Sequence, residues 1–304
     1  MWVATLGRYT PKRGALMPYL RLYLLGPPAI YCGDEAINVP RRQARALLFR
    51  LGVRMQPVPR EHLCFLFWPN QSEIRARRNL THLLTHLRRA LPDHENLITG
   101  DDQVALNSEL VWSDTSTVER RIAAYGREPS SYGLERVTLL FHGLFMAGFS
   151  LPDASEFESW LTLERCIWER YYLRALELLV ENHVADGLYG QAIGYAQRYL
   201  AMNHLDEEMH CRLMELYAVT GNRAAALQQY RVCADALGRE LGISPLRETK
   251  ALYLSIMQGE LSMATKLQPR TQLTLIPEGH VYPLNTLSDS VEASAATSAM
   301  AYAA

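Results

Sequence analysis

The sequence predicts a mainly α-helical protein in which a small α+β domain precedes an all-helical domain. Three observations lead to this prediction. Short strand patterns flank three helical segments before about residue 115, apolar residues follow helical periods from 117 to about 258, and a 34-residue self-similarity marks the second part. A length of 304 residues is enough for two domains that each bury a core.

The first part of the chain predicts a small antiparallel sheet followed by three helices. Alternating leucines and turns that contain Gly and Pro indicate the strands, and apolar residues spaced by three and four indicate the helices. Ser72 is the expected N-cap of the third helix, and Pro92 stops that helix. The predicted elements are strands at 20–24, 29–32 and 36–39 and helices at 42–53, 60–67 and 72–91.

A hairpin closes this part of the chain. Strands at 97–99 and 104–106 flank a turn of Gly100, Asp101 and Asp102, and a third strand at 110–112 is expected to follow. A sheet, three helices and a terminal hairpin, in this order, are the elements of a winged helix-turn-helix.

The second part predicts helical hairpins only. Gly187 and Ala192 recur as Gly221 and Ala226 after a shift of 34 residues. This shift is the period of TPR repeats, in which Gly lies in the turn and Ala allows the second helix to pack closely on the first. An all-α, TPR-like domain is therefore expected.

Four segments follow from these patterns. A flexible N-terminal segment is expected at 1–18, the winged helix-turn-helix at 19–115 and the TPR-like domain at 116–262. Residues 263–304 lose helical periodicity and become rich in Ala and Ser, which predicts a disordered tail.

Charge is distributed unevenly along the chain. Residues 36–92 contain eleven arginines and two acidic residues, Glu61 and Glu73, so this stretch has a formal charge of +9 while the whole chain has −1. Such asymmetry is expected when one domain contacts a polyanion, although a solvated basic face without a partner would give the same count.

The third predicted helix, 72–91, is the candidate for contact with duplex DNA. Arginine can pair with guanine and asparagine with adenine in the major groove. An ordinary amphipathic surface helix would intersperse acids among its arginines, but this helix has none after Glu73. The predicted contact residues on its polar face are Arg75, Arg78, Asn79, His82, Thr85, His86 and Arg89.

These residues have different expected roles along the helix. Arg75, Arg78, Asn79 and His82 are expected near base edges, because recognition helices contact bases with their N-terminal half, and the later ones near phosphates or solvent. Arg77 and Arg88 are expected to face the domain instead. The arginines that open the first helix are predicted to hold phosphates, with a merely solvated role as the alternative: Arg41, Arg42 and Arg45.

No catalytic, cofactor or metal site is predicted. The sequence has no phosphate-binding loop, dinucleotide motif, zinc-protease motif or serine-hydrolase motif. His82 and His86 have the i,i+4 spacing of a ligand pair, but no Cys or carboxylate is placed to complete a site. Scattered cysteines and the lack of a long apolar run lead us to expect a cytoplasmic protein without membrane contact.

Several segments together resemble the SARP-type family of bacterial transcription activators. In the first domain they are Val58-Pro59-Arg60-Glu61-His62-Leu63, Phe67-Trp68-Pro69 and Ala76-Arg77-Arg78-Asn79-Leu80. In the second they are Phe157-Glu158-Ser159-Trp160-Leu161, Gly221-Asn222-Arg223 and Glu240-Leu241-Gly242-Ile243-Ser244-Pro245. The resemblance, over roughly 20–258, implies an OmpR-type winged helix, TPR-like helices, binding to direct repeats in promoters and recruitment of RNA polymerase.

The sequence therefore predicts a sequence-specific transcription activator and not an enzyme. Its expected partners are double-stranded DNA, RNA polymerase holoenzyme and, on tandem half-sites, a second copy of itself. An alternative stays open, in which the TPR-like domain senses a peptide or a small ligand and DNA binding is the output.

Overall fold

The computed structural model describes residues 20–125, 130–260 and 266–270. The predicted flexible segment 1–18 and residues 271–304 of the predicted tail lie outside the described residues. Within the described residues, the fold class is confirmed: a winged helix-turn-helix is followed by an all-helical, TPR-like domain.

The N-terminal domain combines two small sheets with three helices in the described part of the chain. Its helices agree with the prediction to within two residues at each end. In chain order the elements are β1 (Leu20–Tyr23), β2 (Ala29–Cys32), β3 (Glu35–Ala36), α1 (Arg42–Gly52), β4 (Val58–Pro59), α2 (Arg60–Phe67), α3 (Glu73–Ala90), a 3₁₀ helix (His94–Asn96), β5 (Leu97–Thr99), β6 (Gln103–Leu106) and β7 (Val111–Ser113).

The strand predicted at 110–112 has a different partner from the one expected. β7 pairs in parallel with β1, with Val111 opposite Leu20, and completes a sheet of order β3-β2-β1-β7. The terminal hairpin β5-β6 instead gains β4, where Val58 lies opposite Val104. Val111 and Ser113 are buried as Leu20 is, so β7 continues the buried face of β1.

The sheet and α1 approach closely at the end of that helix. Gly52 is the last residue of α1, and a Cβ atom there would lie 2.5 Å from Cδ1 of Leu22 on β1. Because a side chain has no room at this contact, glycine lets the helix meet the sheet. Leu47, Leu48 and Leu51 of the same helix are 0–1% exposed and form the centre of the domain's core.

The second domain consists of helices in the described residues. They are α4 (Asp114–Tyr125), α5 (Ser131–Thr138), α6 (Ser155–Ala185), α7 (Tyr189–Met202), α8 (Glu207–Val219), α9 (Arg223–Glu240) and α10 (Arg247–Gln258). The predicted repeat corresponds to the hairpins α6-α7 and α8-α9. Gly187 and Gly221 occupy the two turns with φ of +71° and +80°, and Ala192 and Ala226 are fully buried.

The two domains share apolar contacts. Phe67 of α2 lies 5.4 Å from Phe157 of α6, measured between ring centroids, and Phe49 of α1 lies 5.3 Å from Phe149 in the connection before α6. Phe49, Phe67 and Phe157 are at most 1% exposed. The winged helix-turn-helix is therefore packed directly on the helical domain.

Five residues of the predicted tail, 266–270, are described. Leu267 is buried and belongs to the apolar cluster of α6, α7 and α8. The tail prediction relied on the loss of helical periodicity, but a single apolar side chain can be buried without any periodic pattern. Disorder therefore does not describe this residue.

A buried carboxylate joins β1 to the start of α4. Asp114 is fully buried and accepts hydrogen bonds from the backbone N–H groups of Leu24 and Leu25, at 2.7 and 2.9 Å, and of Thr115, at 2.7 Å. Burial raises the pKa of the Asp114 carboxyl to about 7, although each N–H donor lowers it.

This carboxyl makes stability depend on pH. Since its pKa in the folded chain lies above the ordinary value of 3.8, the stabilisation is fully present below about pH 4 and is lost as pH rises through about 7. Between pH 5 and pH 7 we expect the wild type to lose roughly 2 kcal/mol of unfolding free energy relative to Asp114→Asn, because asparagine does not titrate. Urea unfolding at several pH values measures this, and parallel profiles for the two chains would contradict it.

Candidate nucleic-acid interface

Helix α3 is amphipathic, and its polar face points outward. The predicted apolar stripe is buried, with Ala76, Leu80, Leu83, Leu84 and Leu87 all at most 3% exposed. Ser72 occupies the N-cap position as predicted, but its side chain makes no capping hydrogen bond; its carbonyl accepts the N–H of Ala76 at 2.9 Å. Glu73 in the first turn and Arg88 and Arg89 in the last complement the helix dipole.

The predicted contact residues of α3 lie together on this outward face. One of them, Asn79, is half-buried, and its Nδ2 donates to Oε1 of Gln71 at 2.7 Å. Thr85 is exposed, but its hydroxyl donates to the carbonyl of Thr81 at 2.9 Å, so its methyl group and the two lone pairs of its hydroxyl oxygen remain for a partner. The others are exposed: Arg75, Arg78, His82, His86 and Arg89.

Two other arginines of α3 have partners within the protein. The Nε atom of Arg77 lies 2.8 Å from Oε1 of Glu73, one turn earlier. Arg88 donates to the hydroxyl of Thr99 on β5 and so links α3 to the hairpin. Glu73, the acid in the sequence of α3, is thus paired with Arg77, and the charges of Arg75, Arg78 and Arg89 are not balanced from within the helix.

The arginines at the start of α1 make contacts within the protein. Arg42 donates to the hydroxyl of Ser150 at 3.0 Å and lies over the ring of Phe149, 5.6 Å from its centroid. Arg45 donates to the carbonyl of Val39 at 3.1 Å. Arg41 is exposed and donates to Gln43 at 3.2 Å. Phosphate contact by these three side chains stays a prediction, and the positions of Arg42 and Arg45 favour a structural role.

The tip of the hairpin β5-β6 is acidic. Asp101 and Asp102 are exposed there, and the carbonyls of Gly100 and Asp102 accept hydrogen bonds from the side chain and the backbone N–H of Arg60, at 3.1 and 2.8 Å. Carboxylates at this tip would repel phosphates. This tip is therefore a poor candidate for contact with phosphates, and the exposed arginines of α3 are better ones.

A charge cluster that the sequence did not predict lies between the two domains. It consists of Arg50, Arg54, Glu119, Glu164 and Trp168, and we call it the interdomain charge cluster. Arg54 Nη2 lies 3.0 Å from Oε2 of Glu164 and its Nη1 contacts Glu119, while Trp168 Nε1 donates to Glu164 at 2.9 Å. Separations of 65 and 110 residues between these partners leave no local sequence signal.

Burial lowers the pKa values of Arg50 in this cluster and of the nearby His62. Arg50 is 4% exposed and stacks over Trp160, 5.3 Å from the ring centroid. Burial lowers the pKa of its guanidinium to about 10, although the charge of Glu164 raises it. Burial, and next the charge of Arg50, lowers the pKa of His62 to about 4. Arg50 and Arg54 were counted in the basic stretch, but they serve the domain interface.

No three His, Cys, Asp or Glu side chains among the described residues are grouped to hold a metal ion. No helix in the described ranges combines the length and apolarity needed to cross a bilayer.

Comparison with known proteins shows which domain family and which regulators this chain is similar to. The family model described as bacterial transcriptional activator domain matches residues 115–257. The chain is also 25% identical over 252 residues to the transcriptional regulatory protein MoaR1 of Mycobacterium tuberculosis, a match that covers 77% of this chain and 78% of MoaR1. Residues 115–257 thus match a bacterial transcriptional activator domain, and a winged helix-turn-helix precedes them.

Two further comparisons extend the similarity to a longer protein and to a solved structure. The regulatory protein AfsR of Streptomyces griseus is 24% identical over 264 residues, which are 84% of this chain and 26% of AfsR, so the chain spans about a quarter of that relative. The solved structure of Mycobacterium tuberculosis EmbR in complex with a low affinity phosphopeptide has the same fold, with a TM-score of 0.60 and 21% identity over 83% of this chain and 66% of EmbR. Over most of its length the chain is therefore similar to SARP-type transcription regulators.

Proposed function

We propose that this protein is a sequence-specific activator that binds promoter direct repeats through α3 and recruits RNA polymerase through its helical domain. One observation carries the DNA-binding part. The outward face of α3 presents Arg75, Arg78 and Arg89 to solvent, and its acid, Glu73, is already paired with Arg77. The helical domain is packed on α2, so α3 stays open to a duplex.

The side chains along α3 suit the two kinds of contact made in major-groove recognition, to base edges and to phosphates. Arg78 and Asn79 lie in the N-terminal half of the helix, where Arg can reach guanine O6 and N7 and Asn can reach adenine N6 and N7. Asn79 would have to exchange its hydrogen bond to Gln71 for the base. His86 and Arg89 lie further along and would meet phosphates, which position a protein without reading sequence.

Recruitment of polymerase is supported by the matched activator domain and by charge. Residues 116–262 contain 19 acidic and 14 basic residues, a formal charge of −5, so the helical domain and the DNA-binding face differ in sign. Two copies placed head to tail on tandem half-sites would present two helical domains to the polymerase. Binding to promoters on a bacterial chromosome would take place in the cytoplasm.

The decisive experiment is the double substitution Arg78→Ala with Asn79→Ala. Duplexes selected from a random pool by the wild-type chain supply the preferred site, and anisotropy titrations compare it with a scrambled duplex. Since each side chain that reads a base contributes about 1–3 kcal/mol, we expect the preference to fall by about a hundredfold. The unfolding free energy should change by less than about 0.5 kcal/mol, because both side chains are at the surface.

A matched control and a salt series complete the test. Arg170→Ala removes an exposed arginine of α6 and should leave the preference unchanged. Wild-type affinity should fall steeply with salt, with a slope of about −0.9 for each neutralised phosphate in a plot of log K against log salt concentration. If the preferred site were still bound preferentially by the double variant, α3 would not be the reading helix.

The alternative function, sensing of a peptide or small ligand by the helical domain, predicts a different partner. Incubation of the full chain with promoter DNA and purified RNA polymerase holoenzyme, followed by size-exclusion chromatography, distinguishes polymerase recruitment from ligand sensing. The full chain is needed because Phe157 of the helical domain is buried against Phe67 of the winged helix-turn-helix. Co-elution with polymerase supports recruitment, and its absence without an added ligand favours sensing.

A further inference from the structure

A short stretch of chain after α10 returns to the helical domain and inserts one side chain into it. Leu267 is 8% exposed and belongs to the buried cluster that α6, α7 and α8 form. Its neighbours Lys266, Gln268 and Pro269 are exposed. One buried side chain between exposed neighbours is the pattern of a peptide held in a groove, whereas a segment within a core would bury more than one.

Beside Leu267, an arginine of α8 contacts the main chain of the same stretch. Arg212 is 2% exposed and donates through Nη2 to the carbonyl oxygen of Gln268 at 3.0 Å. Its remaining donors are held by carboxylates: Nε donates to Oε1 of Glu181 on α6 at 2.9 Å, and Nη1 to Glu215 at 2.9 Å. The guanidinium is therefore fixed, and one of its N–H groups is directed at a backbone carbonyl.

These two contacts together make a recognition site for an extended peptide. The apolar cluster receives a leucine side chain, and Arg212 receives the carbonyl of the next residue, which any sequence provides. Residues 266–270 have no regular secondary structure, as expected of a segment that lies across helices. A preorganised donor and a preformed apolar cluster reduce the entropic cost of binding.

We propose that α6 and α8 form a peptide-binding groove, that residues 266–269 occupy it as an internal ligand, and that a partner segment with a leucine in the same place must displace them. Arrays of helical hairpins provide such extended binding surfaces. The groove lies within the helical domain, so it is independent of DNA contact by α3, and a failure of either can be detected without the other.

A peptide supplied in trans tests this. A fluorescein-labelled peptide with the sequence of residues 262–272 is titrated with the full wild-type chain and with full-length Leu267→Asp, in which a charged side chain cannot stay in the apolar cluster. In the wild type the internal ligand leaves the groove vacant in only a fraction of the molecules, and the apparent affinity for an added peptide is reduced in proportion to that fraction. The variant, whose groove is vacant, should therefore bind the peptide about tenfold tighter or more. A peptide with aspartate in place of leucine should bind neither chain.

Two further variants make the test secure. Gln268→Ala changes an exposed side chain but keeps the carbonyl, so its affinity for the peptide should equal that of the wild type. Leu267→Ala is the milder change for use if Leu267→Asp fails to give the wild-type circular dichroism spectrum, and it should bind the peptide at least about threefold tighter than the wild type. Equal affinities of the folded variant and the wild type, or no binding by either, would overturn the proposal.

Discussion

Phe157→Ala is expected to lower the free energy of unfolding by about 3–5 kcal/mol. Phe157 is fully buried, and its ring centroid lies 5.4 Å from that of Phe67, 6.2 Å from that of Phe149 and 5.1 Å from that of Trp160. Truncation would remove a ring from a site whose neighbours belong to both domains. The cavity could not collapse without moving α2 relative to α6, so the cost should lie at the upper end.

The same variant tests whether the two domains unfold together. Urea unfolding is followed by tryptophan fluorescence and by far-UV circular dichroism, and the two curves should coincide for the wild type and the variant. Phe65→Ala is the matched control, because Phe65 also lies on α2 but is 49% exposed, and its effect should stay within about 0.5 kcal/mol. Two separate transitions, of which only one shifts, would show that the domains are energetically independent.

Local patterns were sufficient to predict the helices of the N-terminal domain. The bounds of α2 match the prediction at both ends, and the buried residues of α3 are those of the predicted stripe. Both successes have the same cause: a helix that buries one face must repeat apolar residues every three or four positions, and Pro or a turn must end it. The 34-residue shift also predicted the helical hairpins correctly, because Gly187 and Gly221 occupy turns with left-handed backbone, which favours glycine.

Long-range pairing could not be predicted in this way. The strand at 110–112 has the same local pattern whether it extends the hairpin or pairs with β1, and only the packing of the whole domain decides. β4 has two residues, one of them Pro59, so it has no alternation to detect. A strand pattern specifies which face is buried but not which strand is the neighbour.

On α3, the exposure of the side chains was predicted better than their contacts. On α3 the sequence distinguished outward from inward residues, because helical periodicity determines which side chains share a face. It gave no indication that Asn79 would bond to Gln71, or that Arg42 would lie on Phe149, because these contacts depend on side-chain directions and on distant residues. Counting charges also overestimated the basic surface, since Arg50 and Arg54 are buried or paired at the domain interface.

The interdomain charge cluster leads to the second large effect, because removing Glu164 takes away one of the two carboxylate partners of Arg54 and the charge that opposes the effect of burial on Arg50. Glu164 is 7% exposed, pairs with Arg54 and accepts the Nε1–H of Trp168. Its charge also opposes the lowering of the pKa of buried Arg50. Glu164→Ala should therefore lower the free energy of unfolding by about 3–5 kcal/mol, the cost of an unpaired buried charge.

Urea unfolding measures this effect, and Glu169→Ala is the control. Glu169 is half-buried on the same helix and forms no ion pair with the residues that the structure describes, so its removal should cost less than about 1 kcal/mol. A double variant of Glu164→Ala with Arg54→Met should be more stable than the sum of the two single changes predicts, because both single changes break the same Arg54–Glu164 pair. If the double variant were as unstable as the sum of the two single changes, Glu164 would act through packing and not through charge.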